Sequence, residues 1–119
     1  MQTVKSPEFK LGKIVLSTPA HCTLGEIVER RFPQLSDNRI FYENMRIVFV
    51  NELLAMHRRL EQGLLGKDDY QANFDAVKYE GDPDRQFRVF SSFEYHENKF
   101  WIITEHDRSC TTILLPEDY

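Results

Sequence analysis

The chain has 119 residues, 41% of them hydrophobic and 29% charged, with a formal net charge of −4. That length suits one domain with its own core. The acidic balance argues against a general nucleic-acid binder, which needs a cationic surface to displace counterions.

Residues 1–8 are polar, contain Pro7 and predict a loose lead-in. FKLGKIVLS (9–17) is rich enough in Ile, Val and Leu for a first strand. Thr18 reads as an N-cap with Pro19 at the first helical position, and Thr23 with Glu26 offers a second start through a capping box. A helix within 19–32, with Leu24, Ile27 and Val28 as its apolar stripe, stops at Pro33. From Gln34 to Gln62 there is neither Gly nor Pro. Val50, Leu53, Leu54, His57, Leu60 and Leu64 recur at helical spacing, so a helix is expected from about Asp37 to Gln62, kinked near Met45 and capped by Gly63.

A third helix is predicted in KDDYQANFDAVKY (67–79), with Asp68 and Asp69 at the positive end of its dipole and Tyr70, Phe74 and Val77 on one face. EGDPD (80–84) is a loop, after which the period changes to two. In 85–95, Phe87, Val89, Phe93 and Tyr95 point one way, and Arg88, Ser92 and Glu94 the other. With a tight turn at His96-Glu97-Asn98, residues 85–95, 99–105 and 109–115 predict three antiparallel strands, the last closed by Pro116. The expected fold class is α+β: an antiparallel β-meander, joined by the N-terminal strand, packed against about three helices.

The loop between the last two strands concentrates chemistry. Glu105, His106, Asp107, Arg108 and Ser109 include a base, acids and a nucleophile. Neighbours on a hairpin point in alternating directions, however, whereas catalytic triads are assembled from separate elements. The favoured expectation is a turn in which Asp107 accepts a bond from its own backbone two residues on while Arg108 pairs with an acid, Glu105 and Asp107 being the nearest. His21-Cys22 and His106-Cys110 lack zinc-ligand spacing, so no metal is expected, and Cys110 reads as a small buried hydrophobe. His57, on the apolar stripe of its helix, reads as a hydrogen-bonded core or interface histidine. Arg30-Arg31 and Arg58-Arg59 read as solvated helix charge. The five glycines form no phosphate loop, and no cofactor is expected. The two cysteines lack CxxC spacing, and no stretch approaches the roughly 18–20 apolar residues of a membrane span, so a cytoplasmic protein with reduced thiols and no membrane partner is expected.

The ending W-I-I-T-E-x-D-R-S-x-T-T-I-L-L-P-E-D-Y (101–119) resembles that of a family of small bacterial proteins carried on plasmids, integrative elements and other mobile DNA. FKLGKIVLSTPA (9–20) is similar to that family's F-x-L-G-Q-I-V-A-T-P-G-A. QANFDAV (71–77) and FRVFSSF (87–93) are similar to its N-x-x-A-L and R-[IV]-[LF]-S-x-Y segments. The chain departs from the family at 62–66, where QGLLG replaces G-D-W-G, and at 33–50, an insertion relative to shorter members. The resemblance implies an accessory role on a mobile element and does not imply an enzyme. The expected function is therefore contact with a protein partner, the alternative being a small enzyme or ligand-binding module using Glu105–Ser109. The candidate interface is the apolar helix around 40–54, with Phe41, Met45, Val48 and Phe49, and a twofold homodimer is the expected way to cover it. The alternative is a central helix enclosed by the sheet and the other helices.

Overall fold

The computed structural model describes residues 9–35 and 37–119, so the expected lead-in at 1–8 lies outside the described residues. The described residues form four strands and three α-helices, an α+β arrangement. The first strand, β1, is Lys13–Leu16. It is preceded by Gly12 at φ +66, where a side chain would collide with the carbonyl oxygens of Arg108 and Ser109. That close approach lets Lys13 N–H donate to Ser109 O at 3.0 Å and starts β1 beside the 105–109 loop.

Helix α1 spans Thr18–Arg31. Its N-cap is Ser17, one residue earlier than expected, with the hydroxyl accepting from Ala20 N–H at 3.1 Å, and Thr23 lies inside the helix. After a 3₁₀ turn at Pro33–Leu35, helix α2 runs from Arg39 to Arg58. Asn38 caps it by accepting from Phe41 N–H at 3.1 Å, and the α-helix continues through Met45 without a break. It ends short of Gln62 because Leu60 takes a left-handed φ of 54 and turns its side chain into a small cluster with Phe9, Ala76 and Val89. Leu65, not Leu64, is consequently the buried leucine of the following turn. Helix α3, Lys67–Lys78, buries Asn73 and Ala76, leaving Tyr70, Phe74 and Val77 at the margin.

Strands β2 (Val89–Tyr95), β3 (Asn98–Thr104) and β4 (Cys110–Leu114) form the expected antiparallel run. The sheet order is β1-β4-β3-β2, and β1 pairs parallel with β4, from Lys13 opposite Cys110 to Leu16 opposite Ile113. The sheet is therefore mixed, a correction to the all-antiparallel expectation. Alternating apolar residues mark a strand but not its direction. Here the direction follows from α1, which leaves β1 at once and packs Leu24, Ile27 and Val28 into the core with Phe100, Ile102 and Ile113 of the sheet. Residues 85–88 stay outside β2. Phe87, expected to point inward, is 61% exposed, because its N–H bonds Ala76 O at the end of α3 rather than a strand.

Candidate functional site

The 105–109 loop is a tight turn. Arg108 N–H donates to Glu105 O at 2.9 Å, Glu105 N–H to Cys110 O at 3.0 Å, and Arg108 sits at φ 61. Asp107 Oδ1 accepts from Ser109 N–H at 2.9 Å, the bond that chain spacing suggested. Hydrogen bonds from Ser109 hold the Asp107 carboxyl below its ordinary range. Arg108 is buried, and its acid is not a loop neighbour but Glu80, just beyond α3, with Nε at 2.9 Å and Nη2 at 2.8 Å. Nη1 donates to Phe87 O at 2.7 Å and Glu105 O at 3.0 Å, and Nη2 to Ala76 O at 3.3 Å. The guanidinium thus ties the loop to the end of α3 and to the approach of β2. His106, Asp107 and Ser109 are exposed and Glu105 is half-buried, so the five residues converge on no common point.

A second polar cluster lies in the core. His57 of α2 bonds Ser91 of β2 through Nδ1 at 2.7 Å and Thr104 of β3 through Nε2 at 2.8 Å. Thr104 meets Thr111 of β4 at 2.7 Å, and Thr111 donates to Leu11 O at 2.6 Å. The last bond sets the direction of the whole chain. Having given its proton to a carbonyl, Thr111 must accept from Thr104, Thr104 from His57 Nε2–H, and His57 Nδ1 from the Ser91 hydroxyl. Burial, with a smaller contribution from Arg108, lowers the His57 pKa to about 3, so the ring is neutral. A serine beside a histidine can be a nucleophile and its base, but both are fully buried and no substrate reaches them. Sequence spacing put His57 inside. Its two hydroxyl partners, Ser91 and Thr104, and Thr111 beyond them carried no signal beyond lying on alternate strand positions.

The outer face of the sheet is different, since α1 and α2 both pack on the inner one. Phe90 stands opposite Ile103, and Trp101 opposite Leu114, on this outer face. Phe90 and Trp101 meet edge to face at 5.1 Å, and Trp101 and Tyr119 at 5.7 Å. Arg88 donates to the Tyr119 hydroxyl at 3.2 Å, a bond that raises the arginine's pKa. With Asp69 from the first turn of α3, these side chains and Ile103 line a cleft of about 250 Å³. Sequence reading missed it. The available signal was Phe90 and Trp101 at strand positions whose parity faces away from the core.

The candidate interface residues of α2 are divided by the helix's rotation. Phe49 is 5% exposed in the core, Met45 packs against that core, and Phe41 is half-buried, edge-on to Phe32 at 5.2 Å. Only Val48 of the four is well exposed, at 42%, in company with Ile40 at 77% and Ile47 at 57%. At about 100° per residue, the inward direction runs through Arg46, Phe49, Leu53 and His57, so the outward one falls on Ile40, Ile47 and Val48.

Among the described residues, no three His, Cys, Asp or Glu side chains are placed to hold a metal ion, and no helix is long and apolar enough to cross a membrane. No family model, curated protein or solved structure matches this chain.

Proposed function

We propose that this protein is a non-enzymatic accessory of a bacterial mobile element and works by holding a partner protein at the outer face of its sheet. The observation that carries the reading is the aromatic cleft of Phe90, Trp101 and Tyr119, rimmed by Arg88 and Asp69. Its volume of about 250 Å³ falls below the roughly 300–1,000 Å³ of small-molecule sites and suits one apolar anchor side chain. Anchors in aromatic pockets dominate the energetics of protein interfaces, and a charged rim orients the surrounding backbone. Trp101, Ile103 and Tyr119 also lie in the terminal stretch that resembles the mobile-element family. The commitment of Arg108 to Glu80 and to carbonyl oxygens supports a structural role for the 105–109 loop.

Trp101 is the sole tryptophan, so its emission reports on the cleft directly. Tagged protein recovered from a host carrying such an element is expected to retain a partner in stoichiometric amount. Tyr119→Ala and Trp101→Ala, each shown by thermal melting to be folded, are expected to retain at least about tenfold less. Trp101 emission should shift to the blue when the partner is added back to the native protein. A partner held equally well by both variants would remove the cleft from the reading.

A further inference from the structure

We propose that α2 pairs with α2 of a second copy of this chain, antiparallel about a twofold axis passing between Ile47 and Val48. Three exposed aliphatic side chains, Ile40, Ile47 and Val48, occupy the outward side of this helix. The inference is independent of the cleft, which lies on the far side of the sheet.

The register comes from the sequence of that stripe. Under the twofold, Ile47 meets the second copy's Val48 next to the axis. Ile40 lies over Ala55, a large residue on a small one. The exposed Asn44 faces the exposed Asn51, and each side-chain amide can donate to the other's carbonyl oxygen. Beyond this centre, the exposed Asp37, in the turn just before the N-cap Asn38, comes near the exposed Arg58 of the last turn at both ends. The aliphatic, amide and end-charge positions of the stripe thus find complementary residues, as an isologous contact requires, while the exposed Glu43 and Glu52 lie on opposite flanks of the helix. A parallel pairing would set Asp37 against Asp37 and Arg58 against Arg58, like charges that oppose association. Charge therefore selects the antiparallel arrangement. A helix of 20 residues is about 30 Å long, and one such pair makes a small interface, so association in the micromolar range is expected.

Analytical ultracentrifugation of the full chain, from about 1 to about 200 µM, measures the equilibrium. The native chain is expected to pass from monomer to dimer within that range, and Ile47→Asp to stay monomeric. Asp37→Arg and Arg58→Asp should each weaken the dimer about tenfold, and the double reversal should return it to within about twofold of native. All these positions are exposed, and thermal melting verifies that each variant is folded. The proposal is overturned by a native chain that stays monomeric throughout, by a dimer indifferent to Ile47→Asp, or by a double reversal as weak as the single ones.

Discussion

Two buried polar residues do opposite electrostatic work within one core. Arg108 has its buried charge compensated by Glu80 and a ring of carbonyl oxygens. His57 gives up its charge and serves as a neutral bridge between Ser91 and Thr104. The difference is chemical: a guanidinium cannot lose its proton at accessible pH, whereas an imidazole can. His57 therefore makes stability depend on pH with a definite sign. Its pKa is lowered from 6.5 to about 3 on folding, so above pH 6.5 the ring is neutral in both states and contributes no slope. As pH falls below 6.5 the unfolded chain takes a proton that the folded one refuses, and stability is lost progressively toward pH 3. At about 1.36 kcal/mol per pH unit, about 2 kcal/mol is gone by pH 5. His57→Gln should cost on the order of 2 kcal/mol near neutral pH, through unsatisfied hydroxyls, and should lack this slope. Urea unfolding of both proteins across that interval tests the idea, and equal slopes would sink it.

Each element is held by a device suited to its position. Strand β2 is an edge strand, and edge strands carry backbone groups that invite foreign pairing. Asn73 of α3 meets that need at Phe90, donating to its carbonyl at 2.7 Å and accepting from its N–H at 3.0 Å, as a neighbouring strand would. Asn73→Ala should leave both groups without these partners and cost roughly 2–3 kcal/mol. Hydrogen exchange at the Phe90 amide should accelerate beyond the global loss of stability. Acceleration spread evenly over all the strands would show that Asn73 acts on α3 packing alone. At the opposite edge, β1 is anchored by Ser17, which caps α1 and donates to Asp118 at 2.7 Å. One short side chain thereby joins the first strand, the first helix and the C-terminal turn.

Across the whole molecule, the sheet separates two surfaces with different chemistry. Helices α1 and α2 cover its inner face, and the aromatic cleft occupies the outer one. The aliphatic stripe of α2 points away from the sheet, so a dimer built on that stripe leaves both clefts uncovered. Trp101 emission is therefore expected to stay constant as the chain is concentrated through its monomer–dimer transition. A spectral shift that tracks dimer formation would place the second copy on the sheet face and contradict the α2 pairing.

The elements themselves were written in local sequence. Periodicity located all three helices and the three C-terminal strands to within a few residues, because burying one face imposes a period of 3.6 or 2 on the chain. The Asp107 turn was legible for the same reason, since its bond spans only two residues. Relations between distant segments were not legible. The parallel entry of β1, the Glu80 partner of Arg108, the hydroxyls around His57 and the depth of Phe49 all depend on packing between elements far apart in the chain. Local pattern says that a face is apolar, but only the tertiary arrangement decides what covers it. Phe49 is covered by the core while Ile47 and Val48 stand outside, because successive residues lie about 100° apart around a helix and one sheet covers only one side of it.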